Sequence, residues 1–190
     1  MKKKVFFLIP YLQKGGSEKV IINLANGLST KGFNCTIIVL NSNSDYTFLI
    51  KDNVNCINLN TNRVLFSFLK LRNLLKSSKP DILISALTHI NVLACVSSLF
   101  LNIKVIVLEH IPVVAHIKQK WFNLIVYIFA IISYKQSDYV ISSCQQLNYD
   151  LEKYLFISKN KIKTFYCPVV DNKYVKLANN KIDNIFINNK

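Results

Sequence analysis

Glycine is scarce in this chain of 190 residues: Gly15, Gly16, Gly27 and Gly32 are all it has, every one within the first 32 positions. A backbone loop that lets a phosphate come close needs residues without Cβ atoms, so Gly15-Gly16 is the sole Gly-rich candidate. There is no Gly-x-Gly-x-x-Gly, and Asn41 stands where a ribose-binding acid would follow a second strand. Both absences argue against a dehydrogenase-type nucleotide cofactor. Cysteine is sparse and odd in number, with Cys35, Cys56, Cys95, Cys144 and Cys167 well separated. That excludes a disulfide frame and a zinc site and reads as buried, reduced thiols of a cytosolic protein. No apolar run is fit to cross a bilayer. Ile82 to Ile103 carries no charge, but Thr88-His89-Ile90-Asn91 breaks it at its middle, as a strand–loop–helix would. Trp121 to Tyr134 is only 14 residues long, too short to span and suited to a buried or interfacial helix. Lys2 to Lys4 with Val5 to Ile9 is too short for a signal peptide.

Acidic residues are few as well, 10 against 24 Lys and Arg, for a formal charge of +14. Two sources of that excess stay open: an anionic partner, or the Lys-, Asn- and Ile-rich coding of an AT-rich gene. The basic residues are scattered and not interleaved with aromatics, so nucleic acid is not expected as a partner. What the chain does have is apolar residues, 51 % of the total, enough for one domain with a sizeable core.

The stretch Val5 to Lys19 organises the rest. Val5 to Ile9 is an unbroken apolar run, as in a strand covered on both faces. Val20, Ile21, Leu24, Ala25 and Leu28 then fall at helical spacing. Gly15 and Gly16 lie between, and a helix starting at Ser17, with Ser17 as N-cap and Glu18 in the first turn, offers unpaired N–H groups to a phosphate. A tight connection with no ligand would use the same residues.

Further strands are expected at Cys35–Leu40, Val54–Leu59, Ile82–Leu87, Lys104–Leu108, Asp138–Ser143 and Lys161–Tyr166. Helices are expected at Val64–Leu75, Asn91–Leu101, Trp121–Tyr134 and Gln145–Phe156, with a polar loop over Asn41–Asp52. The helix at Val64–Leu75 turns Val64, Leu65, Phe68, Leu71, Leu74 and Leu75 inward. Its outer face is basic, with Lys70, Arg72 and Lys76 beside Arg63 and Lys79: a solvated face or a surface for anionic lipid. This alternation predicts a single Rossmann-like α/β domain, doubly wound, with a mostly parallel sheet of about six or seven strands and its ligand crevice at the strand C-terminal ends. That crevice would collect Pro10–Gly16, Thr88–Asn91, Glu109–His116, Ser142–Gln145 and Cys167–Asp171.

At these residues the chain resembles the amino-terminal half of family 4 glycosyltransferases, retaining enzymes of the two-domain GT-B fold. The resemblance runs from about Val5 to Asp171. Gly15-Gly16-Ser17-Glu18-Lys19 is similar to the family's Gly-Gly-Ala-Glu-Arg. Glu109-His110 matches its Glu-Arg-Asn or Glu-His-Asn, with Ile111 in place of Asn. Ile141-Ser142-Ser143 with Asp150-Leu151 looks like its Val-Ser and Asp-Leu. Ile162 and Tyr166-Cys167-Pro168-Val169-Val170-Asp171 match its closing motif, with Cys167 at the Asn position.

The resemblance implies transfer of a sugar from a nucleotide sugar, with retention and without a metal or other cofactor. It places the catalytic-site histidine at His110 and the approach to the donor phosphates at Gly15 and Gly16; Ser17, Glu109 and Ser143 are further candidate substrate or phosphate contacts, and so is His89, which either lines the crevice or is an ordinary loop residue. His116 is a further loop histidine that either lines the crevice or merely packs. Residues 1–171 are then the N-terminal, acceptor-side domain and 172–190 a linker or tail. The donor-binding domain, with its Glu-x7-Glu, is expected to be absent: the three glutamates, Glu18, Glu109 and Glu152, lack that spacing. The expected partners are a nucleotide sugar, a saccharide or lipid-linked acceptor, an anionic membrane surface and a separate donor-binding domain. The expected location is cytoplasmic, peripheral on the membrane. The implied activity is that of a hexosyltransferase, which this chain alone would not perform. The alternative is a non-catalytic acceptor-binding or membrane-docking subunit.

Overall fold

A computed structural model describes residues 2–13, 15–41, 47–61, 64–110 and 121–166. These residues contain seven parallel strands: β1 Lys4–Ile9, β2 Asn34–Val39, β3 Asn55–Asn58, β4 Ile82–Ala86, β5 Lys104–Glu109, β6 Tyr139–Ser142 and β7 Ile162–Thr164. Among the described residues five α-helices join them: α1 Gly16–Thr30, α2 Val64–Ser78, α3 Thr88–Ser97, α4 Trp121–Gln136 and α5 Gln145–Leu155. The strand order is β3-β2-β1-β4-β5-β6-β7. This is an α/β Rossmann-like domain, and the order reverses direction between β1 and β4.

The apolar run of β1 is explained by its neighbours. β1 pairs with β2 on one side (Val5 opposite Cys35) and with β4 on the other (Val5 opposite Ile82), so both edges are used. Both faces are used too. Val5, Phe7 and Ile9 pack with Val20, Ile21 and Ala25 of α1, whereas Phe6 and Leu8 pack with Leu71 and Leu75 of α2 and Ile90 and Leu93 of α3. A third cluster continues the second face, where Val105, Val107 and Val140 meet Ala130 and Tyr134 of α4 and Leu147 and Leu151 of α5.

Two aspartates stitch the amino-terminal edge. Asp81, just before β4, accepts the Lys4 N–H at 2.7 Å, and Asp138, just before β6, accepts the Val105 N–H at 2.7 Å. Each carboxylate fixes the register of its own strand on the preceding neighbour by satisfying a donor at the sheet's end.

Several boundaries differ from the sequence expectation. α1 is capped by the extended Gly15, with no side-chain cap, so Ser17 is not the N-cap. α3 begins at Thr88, not Asn91, because Leu87 takes the unusual φ of 78° and turns the chain at once from strand to helix. Thr88 to Asn91 is therefore the first turn of a helix and not a loop. α2 runs to Ser78, and Lys79, at φ 46°, ends it one residue before Pro80. Cys35 and Cys95 are buried, as expected, but Cys56 and Cys144 are exposed, since Cys56 lies on the edge strand β3 and Cys144 caps the start of α5. Burial pushes the Cys95 thiol up to about 12, with Asp138 adding to the effect. Arg63, Ile111, His116, the closing segment from Cys167 to Asp171 and the tail 172–190 lie outside the described residues.

Candidate functional site at the carboxyl edge of the sheet

In an open parallel sheet the ligand crevice lies beyond the carboxyl ends of the strands, where the strand order reverses. Here that is the edge formed by β1, β4, β5 and β6, four consecutive strands. At the usual spacing these strand ends span roughly 15 Å. Gly15, Gly16 and Ser17 follow β1, His89 follows β4, Glu109 ends β5 with His110 next to it, and Ser143 follows β6. The N-termini of α1, α3 and α5 open onto the same edge.

The two glycines are required for different reasons. At Gly15 a Cβ would sit 2.0 Å from Glu18 Oε2 and 2.8 Å from Glu18 Cδ, because the Glu18 side chain folds back over the start of its own helix. Ser17 Oγ donates to that same Oε2 at 2.8 Å. Glu18 is buried, so a carboxylate of the protein already occupies one side of the positive helix end. At Gly16 a Cβ would meet nothing within 4 Å. Gly15 thus makes room for Glu18, while Gly16 leaves open space at the mouth of the crevice.

Glu18 also links α1 to β5. Burial holds the His110 imidazole below its ordinary value of 6.5, and the Glu18 carboxylate works against that shift. His110 is half-buried, with its Nε2 atom buried. The Gly-Gly turn and His110, 94 positions apart in numbering at Gly16, are therefore brought into one electrostatic neighbourhood. At neutral pH the imidazole is uncharged, and one ring nitrogen donates while the other accepts.

Glu109 sits deeper than His110. It is buried, and its Oε2 accepts from Tyr134 Oη at 2.5 Å and from Thr88 Oγ1 at 3.1 Å. Tyr134 Oη in turn accepts from Asn91 Nδ2 at 2.9 Å, and the same Nδ2 donates to the Leu108 carbonyl at 2.9 Å. Ser85 Oγ donates to Asn91 Oδ1 at 2.7 Å. This buried chain ties β4, α3, β5 and α4 together on the α3 and α4 face of the sheet, beside the strand end that leads into His110. Burial and the adjacent Glu109 push the Tyr134 phenol well above its ordinary range, so it stays a donor. Tyr134 and Ser85 lie outside the crevice segments expected from sequence, and Asn91 belongs to one only as the end of Thr88–Asn91. The available signal was a polar group at an inward position of an apolar helix, which must find a partner.

His89 is the second residue of α3 and exposed. Ser143 is half-buried before α5, next to a local network in which Ser142 Oγ donates to Asn148 Oδ1 and Asn148 Nδ2 donates to Thr164 Oγ1 at 2.7 Å. The structure thus joins Gly15, Gly16, Ser17 and His110 through Glu18, and joins Glu109 to the N-terminus of α3, while Ser143 stands one strand further along. Among the described residues, no group of three His, Cys, Asp or Glu side chains could hold a metal ion.

A Rossmann-like sheet with a glycine turn, a half-buried histidine and three helix N-termini on its carboxyl edge defines the class of open α/β domains with a crevice at the strand ends. The particular family follows from the sequence: residues 14–173 match the model of Glycosyltransferase Family 4, and the chain belongs to that family. A curated relative, an uncharacterized glycosyltransferase of Haemophilus influenzae, is 33 % identical over 116 residues, covering 58 % of this chain and 33 % of that protein. The fold is shared with sucrose-phosphate synthase of Thermosynechococcus elongatus (TM-score 0.71, 10 % identity, 86 % of this chain and 47 % of that one). It is also shared with HepE of Anabaena, solved with UDP and glucose (TM-score 0.63, 13 % identity, 87 % and 44 %). The chain therefore spans a third of the curated relative and under half of these structures, and it has the architecture of the N-terminal half of a GT-B fold.

Proposed function

We propose that this chain forms the acceptor-side wall of a retaining glycosyltransferase that moves a sugar from a nucleotide sugar to a saccharide or lipid-linked acceptor. The reaction would take place on the cytoplasmic face of a membrane. The observation that carries this reading is the convergence of Gly16 and His110, linked by Glu18, on the carboxyl edge of a family 4 domain. The open space over Gly16 admits a diphosphate to the backbone N–H groups of α1. The neutral His110 imidazole supplies a hydrogen bond to the donor sugar, and His89 and Ser143 extend the polar lining along the edge. Glu109 acts from below, through its bonds to Thr88 and Tyr134, by fixing the walls. Neither a metal nor a further cofactor is part of this reading. A second domain holds the nucleotide, and the reacting atoms meet between the two.

Mixing the purified chain with a matching donor-binding domain tests the proposal. Sugar transfer should appear on mixing, and Gly16→Val or His110→Ala should lower it on the order of a hundredfold or more, as the loss of a preorganised donor does. Transfer that is unchanged in both variants would refute the assignment. A non-catalytic acceptor-binding or membrane-docking subunit is the second reading. It predicts acceptor binding with no transfer on mixing.

A further inference from the structure

The amino-terminal edge of the sheet, opposite the crevice, is cationic. In a parallel sheet with helical crossovers the helix C-termini return to this edge. Lys3 precedes β1, Lys31 follows α1, Lys76 and Lys79 lie at the end of α2, Lys104 opens β5 and Lys135 is in the last turn of α4; all are exposed. The acids near this edge, among the described residues, are Asp52, Asp81 and Asp138. Asp81 and Asp138 each accept a backbone N–H of a neighbouring strand. Complementing the helix dipole accounts for cations at helix ends, but not for Lys3 or Lys104, which stand at strands.

Within this edge, beside the C-terminal end of α2, lies a groove of about 590 Å³. Its apolar lining is Leu75, Pro80, Leu101 and Ile103, and Lys76 and Lys79 are its cations. A smaller hollow of about 160 Å³ shares Phe100, Leu101 and Ile103 with it, so Phe100 borders both. Phe100 is 97 % exposed and has a φ of 59°. A bulky residue in the left-handed region is strained, and a ring standing in water gains no burial in return. The turn that carries it is anchored: Arg72 Nη1 donates to the Ser97 and Leu99 carbonyls at 3.0 and 2.9 Å, and the Leu101 N–H donates to the Ser98 carbonyl at 2.9 Å.

We infer that this groove is the docking site for an acidic segment of a partner protein, whose apolar side chains fill the groove against Phe100 while its carboxylates meet Lys76 and Lys79. Charge complementarity selects the occupant. A second copy of this chain would bring the same cations and be repelled. A concave aliphatic lining takes aliphatic side chains, not the polar edges of nucleic-acid bases or a flat bilayer. The groove volume falls in the usual range for binding pockets, roughly 300–1,000 Å³. Because the amino edge faces away from Gly16 and His110, a partner held there leaves the crevice open, and the inference goes beyond the proposed function without depending on it.

Fluorescence anisotropy of a labelled synthetic peptide, a short run of glutamates with a central Leu-Leu pair, tests it on the 190-residue chain. The peptide should bind at low salt and less well at high salt. Replacing Leu-Leu by Ser-Ser should weaken binding roughly tenfold or more. Lys76→Glu with Lys79→Glu should also weaken it roughly tenfold, whereas Lys153→Glu with Lys163→Glu, the same change in net charge at exposed positions elsewhere, should leave it within about twofold. Phe100→Gly should weaken binding while the urea midpoint holds or rises, since glycine adopts this φ freely. No binding, equal binding of the Leu-Leu and Ser-Ser peptides, or equal losses in the two lysine pairs would overturn the inference. So would an oligonucleotide or phosphatidylglycerol vesicles that displace the peptide and are themselves released by Phe100→Gly, which would make nucleic acid or lipid the occupant. The mixing assay for sugar transfer is read independently of all these outcomes.

Discussion

At the residue scale, the two glycines separate folding from function. Gly16→Ala places a methyl in open space at a helical position, so its stability should be unchanged or raised by up to about 1 kcal/mol. Gly15→Ala forces the Glu18 carboxylate out of its place, and because that group is the end of a flexible side chain the cost should stay near 1 kcal/mol. The displaced carboxylate no longer supports the His110 proton, so the His110 pKa should fall further in Gly15→Ala and remain as it is in Gly16→Ala. NMR titration of the histidines checks both. His110 also predicts a pH dependence. Its folded pKa lies below the unfolded value of 6.5, so the unfolded chain binds the proton more readily. The contribution of His110 to stability is present above the unfolded value and is lost as the pH falls through the folded one. The urea midpoint should therefore drop between about pH 7 and pH 5, less steeply in His110→Gln. An equal slope in that variant would show that His110 is not the group responsible. These consequences were only partly legible in the sequence. The Gly-Gly-x-Glu pattern and the Glu-His pair pointed to residues that the fold brings to the carboxyl edge of the sheet, but the local pattern suggested Ser17 as the cap, whereas Ser17 holds Glu18 instead.

At the element scale, the polar chain around Glu109 is what holds α3, β5 and α4 in relation. Tyr134→Phe removes the donor to Glu109 and the acceptor for Asn91 in a site with no exposure. It should cost about 1–3 kcal/mol in urea unfolding. Thr88→Val should cost less, because Thr88 is only half-buried and water can replace its bond to Glu109. The reverse order would mean that Tyr134 contributes packing alone. Long, strongly periodic elements were legible: β1 from its apolar run, α1 and α2 from their spacing. The start of α3 was not, because the turn at Leu87 depends on a backbone conformation that no residue preference announces. Glu109 and Tyr134, 25 positions apart, were also hidden, since nothing in either segment specifies the other. The same holds for Asp81 and Asp138. The sequence shows acids before strands, and only the sheet shows the N–H group each one accepts.

At the scale of the whole molecule, strand–helix alternation was enough to anticipate a parallel sheet with β1 inside it. The seven-strand order and the family match agree with that. The distribution of charge was less legible. The basic residues of α2 were visible, but Lys70 and Arg72 are bound to carbonyls, an arrangement that only the packing of α2 against its neighbours shows. The central claim is that the carboxyl edge is one wall of a two-walled site. In reactions of this kind positioning supplies on the order of 7–11 kcal/mol in favourable cases, and removing a wall removes donor affinity and alignment together. The most direct measurement is sugar transfer from nucleotide sugar by purified residues 1–190, with and without a matching donor-binding domain. The account predicts no turnover by the chain alone, turnover on mixing, and loss of most of that turnover in Gly16→Val. Clear transfer by residues 1–190 with no added protein would contradict it.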